Sequence, residues 1–207
     1  MAQAQHQEHG RHDDILDAAQ TIFSHYGYRR ASLEEIAREA GISRTGLYHH
    51  FGNKEEVFRA MAERFYRVAL SAAAAAATGE GTVADRLRGV LNAKMGWFFS
   101  HLAETRHGLE IIDQSNRLCG DIIAEGSDRY QALIADLLSE AERDGRLDLT
   151  ANGFTPESAA SLVFHCAWGL QGQPGRMPTA AEYRQRLAQL TRVVIVAFGG
   201  RCVGPVG

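Results

Sequence analysis

Proline and cysteine are scarce in this 207-residue chain, which has four of the first and three of the second. The cysteines, Cys119, Cys166 and Cys202, are odd in number and share no paired spacing. They cannot be read as a disulfide framework and fit a reducing compartment. No stretch reaches the ~18 consecutive apolar residues that span a bilayer. The alanine tract at 72–77 has no large side chains, and VVIVAF at 193–198 is too short. The opening MAQAQHQEHGRHDD has no apolar segment of the kind found in a secretory signal. These absences lead us to expect a cytoplasmic protein without a membrane segment. A formal net charge of −3 excludes a surface that is basic throughout, but it allows a local basic face. The chain also has no nucleophile elbow, no glycine-rich phosphate loop and no pair of acids placed for catalysis, so an enzyme is not expected. His101, His107, Cys119, His165 and Cys166 invite a metal reading. No pair among them has ligand spacing on a helix and there is no CxxC, so neither metal nor cofactor is expected.

What remains is helix. Ile15, Ala18, Ala19, Ile22, Phe23 and Tyr26 recur at helical spacing, and Gly27 follows where a helix commonly stops. Residues 1–12 carry little to bury and read as a disordered tail. Ser32-Leu33-Glu34-Glu35 is a capping box that opens a second helix, ended by Gly41. Ser43 caps a third helix from about Arg44 to His50. Asn53-Lys54-Glu55-Glu56 caps a fourth, which runs into the alanines. Further helices are expected at about 83–102, 107–118, 122–143, 156–171 and 179–198, with Pro156 in a first turn where its missing N–H costs nothing.

The stretch SRTGLYHHFGNK, Ser43 to Lys54, gathers hydrogen-bond donors on one short helix. A helix, the three-residue link Gly41-Ile42-Ser43 and a second helix make a helix-turn-helix pattern. Leu47 and Phe51, four apart, would anchor the second helix and turn the remaining side chains outward. Arg44 and Thr45 lie in its first turn, the end that enters a major groove. Arginine can pair with guanine O6 and N7, and the threonine methyl suits the thymine methyl. Gly46 lets the backbone approach. Tyr48, His49, His50 and Lys54 can donate to phosphates, and the capped helix starts at Ser32 and Ser43 also favour phosphate. Residues 28–54 hold five arginines and lysines against three glutamates, two of them in a first helical turn. His50 reads equally well as a packing residue, and Arg29 and Arg30 as solvated.

The segment ILDAAQTIFSHYGYRRASLEEIAREAGISRTGLYHHFGNKEEVFRAM, Ile15 to Met61, resembles the N-terminal domain of the TetR family of bacterial transcriptional regulators. The GIS turn, LYHHF and the Asn-Lys-Glu helix start carry the likeness, which covers about a quarter of the chain. The resemblance implies structural roles for Leu47 and Phe51, base-facing positions for Arg44, Thr45 and Gly46, and phosphate contacts from Tyr48, His49 and Lys54. Gly46 departs from the Ser, Thr or Ala of many relatives, which removes one contact. The implied fold is all-α. An N-terminal three-helix helix-turn-helix DNA-binding domain, placed at 13–58, joins a larger C-terminal helical bundle for ligand binding and dimerisation, placed at 59–200. A tail follows at 201–207. The implied function is a repressor of a palindromic operator on double-stranded DNA, released by a small-molecule effector. A helical sensing or interaction protein of the same fold without specific DNA binding is the competing reading, ahead of an enzyme.

The last two helices carry apolar stripes: Leu162, Val163, Cys166, Ala167 and Leu170, then Tyr183, Leu187, Leu190, Val194 and Phe198. Core packing explains both. The resemblance implies instead that these helices meet their copies in a homodimer. Trp97, His101, Ile111, Gln114, Cys119, Phe164, His165 and Trp168 mix aromatic and polar groups in the middle helices and are the candidate ligand pocket.

Overall fold

The computed structural model describes residues 2–101, 105–172 and 177–200, with side chains described over 10–96, 105–172 and 177–200. Nine α-helices and one short 3-10 turn make up the regular structure among these residues, with no strand. They are α1 (Ala2–Arg30), α2 (Leu33–Glu39), α3 (Arg44–His50), α4 (Lys54–Ala77), α5 (Val83–His101), α6 (Gly108–Leu118), α7 (Gly120–Arg143), the turn Thr150–Asn152, α8 (Pro156–Gly169) and α9 (Ala180–Ala197). None of the described helices is long and apolar enough to cross a membrane.

Local capping fixes most of the helix starts. Ser32 Oγ accepts from the Glu35 N–H at 3.2 Å while the Glu35 carboxylate accepts from the Ser32 N–H at 2.9 Å, the reciprocal box read from the sequence. Thr155 with Ser158 and Thr179 with Glu182 repeat the device at α8 and α9. Asn53 Oδ1 accepts from the Glu56 N–H at 2.9 Å to start α4. The polar N-terminus departs from its reading as a tail, because α1 already begins at Ala2. Near its other end α1 is broken at Gly27, whose φ of 77° and ψ of 161° belong to no helix. This is the stop expected from the sequence, after which the chain winds once more to Arg30.

The chain divides into two compact units, and the division is not a single cut near residue 58. The first is Met1–Tyr66 with Leu102–Ile123, and the second is Arg67–His101 with Ala124–Gly207. In the first unit Ile15, Ala19 and Phe23 of α1, Ile36 of α2, Leu47 of α3 and Val57 and Phe58 of α4 are almost fully buried. Phe58 meets Phe23 and Tyr28 edge-on, at 5.4 and 5.1 Å between ring centroids. α6 belongs to this unit. Its Glu110 carboxylate accepts from the Arg29 N–H at 3.0 Å, on the turn just beyond the Gly27 break.

In the second unit α5 and α9 pack together. Leu87, Val90, Tyr130, Ile134, Leu138, Val163, Tyr183 and Leu187 form its interior. The alanine tract serves close packing here: a Cβ on Gly89 would lie 2.8 Å from that of Ala76. Arg86 is buried. It donates through Nε to the Ala77 carbonyl at 2.6 Å and through both terminal nitrogens to Glu140 at 2.9 and 3.0 Å. Arg146 adds a third contact to Glu140 at 3.0 Å. Hydrogen bonds from Arg86, then Arg146, hold the Glu140 carboxyl down at about 2. A carboxyl depressed by folding stabilises the fold fully above its ordinary pKa, and the gain disappears as pH falls through the folded value. Glu140→Gln should therefore lower the urea midpoint most at neutral pH. The gap from the parent should narrow steadily below about pH 4.5, and a pH-independent gap would refute the assignment.

Candidate nucleic-acid interface

The geometry of α2, the turn and α3 follows from four residues. Ala40 ends α2, and Gly41 takes a φ of 65° that reverses the chain. The Ile42 N–H returns to the Ala37 carbonyl at 2.9 Å. Ser43 then caps α3, its Oγ accepting from the Gly46 N–H at 3.0 Å. Leu47 is 0% exposed and Phe51 5%, so α3 is held by the two anchors that the sequence indicated.

The rest of α3 divides by exposure. Arg44, Thr45, Tyr48 and His49 are exposed, while Gly46 and His50 are half-buried. A methyl at position 46 would lie 3.2 Å from Ser43 Oγ, a tight fit that a small shift of the cap relieves. Arg44 is not idle in the free protein. It pairs with Glu34 of α2 at 2.8 Å, and its guanidinium stands 5.5 Å from the centre of the Tyr48 ring. A hydrogen bond that it donates to the Tyr48 hydroxyl, then the charge of Glu34, raises its pKa further. To read a base Arg44 must release Glu34. The exchange is cheap, because an exposed ion pair is worth only about 0–1 kcal/mol.

Two of the expected phosphate ligands are engaged elsewhere. Lys54 Nζ donates to the backbone carbonyls of Tyr28 at 2.7 Å, Ala31 at 2.8 Å and Arg29 at 3.3 Å, and lies 4.6 Å from the centre of the Tyr28 ring. Three contacts match the three protons of an ammonium, so Lys54 ties α4 to the end of α1 and offers no proton to a phosphate in this conformation. Burial lowers its pKa. Ser32 Oγ is likewise held within its capping box by Glu35. Ser43, Tyr48 and His49 keep exposed positions beside Arg44 and Thr45. Arg29 and Arg30 are exposed as well.

The residues proposed as a ligand pocket belong to both compact units. Ile111 and Cys119 are buried and Gln114 half-buried in the first unit. His165 is exposed, its Nδ1 2.7 Å from the Ser161 carbonyl oxygen of its own helix. The side chains of Trp97 and His101 lie outside the described residues. Phe164 and Trp168 line a cavity, together with Leu91, Lys94, Met95, Tyr130 and Ala167 of the second unit. Lys94 and Tyr130 were missed by the sequence reading. A signal existed: Lys94 continues the Leu87, Val90, Leu91 register of α5, where a lysine stands in an apolar stripe.

The apolar stripes of the last helices also resolve. Tyr183, Leu187, Val194 and Phe198 are buried within the chain itself, so the inner face of α9 is core. Leu162 (44% exposed) on α8 and Val193 (65%) and Val196 (60%) on α9 form an outer apolar set that the periodicity did not separate from the core.

Residues 15–61 match the family described as bacterial regulatory proteins, tetR family. The chain is 39% identical over 54 residues to IcaR of Staphylococcus epidermidis, the negative transcriptional regulator of a biofilm operon. That match covers 26% of this chain and 29% of IcaR. It is 30% identical over 139 residues to the transcriptional activator FasR of Mycolicibacterium smegmatis, covering 67% of this chain and 58% of FasR. The chain thus spans less than two thirds of the length of either relative. A solved transcriptional regulator from Cytophaga hutchinsonii superposes with a TM-score of 0.69 at 15% identity, covering 88% of this chain and 95% of that one. That likeness is one of fold.

Proposed function

Because the chain belongs to the TetR family of bacterial regulatory proteins, we propose that it is a homodimeric, ligand-responsive transcriptional regulator of the cytoplasm that reads a palindromic operator through α3. The observation that carries this reading is the exposed face of Arg44, Thr45, Tyr48 and His49, pinned from beneath by Leu47 and Phe51. Arg44 and Thr45 read base edges from the first turn, with Gly46 close to the groove floor. Ser43, Tyr48 and His49 hold phosphates. Lys54 and Ser32 support this frame from behind. Two copies place their α3 helices in successive major grooves about 34 Å apart, or a small multiple of that. An effector bound by the second unit acts by favouring the arrangement of the two copies that fits DNA less well, so its leverage equals its differential affinity for the two states. Repression is the sign we propose, since an occupied operator blocks transcription unless contacts to the polymerase are added.

The test is a salt titration of binding to duplex DNA. With Lys54 withdrawn, two or three phosphate contacts per subunit give a dimer slope of log K against log salt of roughly −4 to −5. Participation of Lys54 would steepen it to about −5 to −7. On DNA adjoining its own coding sequence, Arg44→Ala should cost about 10-fold or more with the helical circular dichroism unchanged, because a bidentate base contact is worth ~1–3 kcal/mol. A slope near zero, or full affinity in R44A, would mean that α3 does not face DNA.

A further inference from the structure

We propose that Glu34, in the first turn of α2, is a specificity-determining residue of the DNA interface. It competes with DNA for Arg44, and once displaced its carboxylate accepts from a cytosine N4 amine beside the guanine that Arg44 reads. The inference rests on α3 being the DNA-facing helix, as proposed above, and assigns a base to a residue outside that helix. The starting observation is a carboxylate where a polyanion is to dock. Glu34 Oε1 lies 2.8 Å from Arg44 Nη1, and the two side chains keep 51% and 63% of their surface, so both stand outward beside the exposed Thr45. An acid in this place opposes phosphate and weakens sequence-independent binding. The start of α2 does not call for it: Glu35 closes the capping box by accepting from the Ser32 N–H at 2.9 Å, and already puts a negative charge in that turn.

The exchange of partners differs from one DNA sequence to another. A phosphate offers Arg44 a negative oxygen like the one it leaves, and it leaves Glu34 facing other phosphates with its charge uncompensated. A guanine offers O6 and N7 together. The released carboxylate then stands within a few ångströms of the guanidinium, at the height of the same or the adjoining base pair, because successive pairs are about 3.4 Å apart. Two major-groove donors are within its chemistry, the N4 amine of cytosine and the N6 amine of adenine. Adenine sets its N7 acceptor beside the amine, which repels a carboxylate, whereas cytosine presents the amine alone. Cytosine is therefore the base that compensates Glu34. Arg38, one turn along α2, is exposed as well. An ion pair formed with it after the exchange is a minor gain, since exposed pairs at this spacing contribute little.

The experiment enriches binding sites from a random duplex pool with the full-length parent, Glu34→Gln, E34D and R44A. Affinities for the parent's enriched duplex and for a mixed-sequence duplex are then measured against salt. The parent should enrich a guanine with a neighbouring cytosine in each half-site, and R44A should lose the guanine. E34Q should keep the guanine and lose the cytosine. Its preference for the enriched over the mixed duplex should fall about 10-fold, chiefly through tighter binding of the mixed duplex. The salt slope on that mixed duplex should steepen by about 1 per subunit, as Arg44 becomes free to meet phosphate. E34D keeps the charge and should keep the parent's slope. An E34Q protein with the parent's base preferences and slope would overturn the proposal, even if it melted at a lower temperature, and so would one that lost the guanine along with the cytosine. If E34Q does not fold, the same two readings are taken on E34A. A parent that enriches no sequence refutes the α3 reading and this proposal with it, whereas a parent that enriches guanine without cytosine removes the Glu34 assignment alone.

Discussion

Replacing Gly27 with alanine should destabilise the protein by about 2–4 kcal/mol, a large effect for the addition of one methyl group. Two causes act together. The φ of 77° with ψ of 161° lies in a region that only glycine occupies without strain, and a side chain held there costs ~1–3 kcal/mol. A Cβ at this position would also collide with the Glu110 carboxylate, coming within 2.8 Å of its Cδ. Glu110 can swing away, but it then gives up the Arg29 N–H and its 3.0 Å contact with His107 Nδ1. The effect spreads to the neighbouring turn. Once Gly27 redirects the chain, Tyr28 and Ala31 present their carbonyls to Lys54 Nζ, and that contact fixes the start of α4 against the end of α1. G27A should lower the melting temperature by roughly 5–10 °C and weaken DNA binding, with the salt slope becoming steeper if Lys54 is freed to reach phosphate. A variant that melts with the parent would show that α1 accommodates the residue by straightening, and that the break has no structural role.

The same region marks the limit of what the sequence disclosed. Helix starts were legible because caps are local: Ser32 with Glu35, Ser43 with the Gly46 N–H, and Thr179 with Glu182 act over three residues, and the chain reports them directly. Leu47 and Phe51 were legible for the same reason, as an apolar pair four apart in an otherwise polar helix. The direction of Lys54 was not, because its partners lie 23 to 26 residues away and are backbone carbonyls common to every sequence. Lys94 was hidden by a different rule. Periodicity counts apolar residues, so a lysine within a stripe reads as solvent-facing, although a long side chain can lie among aromatic rings. The candidate ligand set was drawn by composition, which collected Ile111, Gln114 and Cys119 with Phe164 and Trp168, while contacts assign the first three to one compact unit and the last two to the other. The stripes of α8 and α9 gave the elements correctly but could not separate Val194, which is core, from Val193 and Val196, which face outward.

That separation leads to the second large effect. Val193→Asp combined with Val196→Asp should turn the proposed dimer into a monomer and reduce affinity for a palindromic duplex by about 100-fold or more. Val193 and Val196 are 65% and 60% exposed in the single chain, whereas Val194 and Ile195, in the same stretch of α9, are 7% and 3% exposed. Two aspartates on the outer face therefore leave the packing of α9 intact, and the monomer should keep its helical content. In a symmetric interface each charge occurs twice and lies close to its own copy, so repulsion and desolvation both oppose association. Losing the partner removes the second recognition helix, which otherwise binds as an intramolecular event at high effective concentration. Light scattering coupled to gel filtration gives the mass, and the salt slope gives an independent check. The slope should fall to about half the dimer value, since half of the phosphate contacts are gone. A double variant that remains a dimer with undiminished DNA affinity would exclude the outer face of α9 as the interface and leave Leu162 and its surroundings on α8 without a partner.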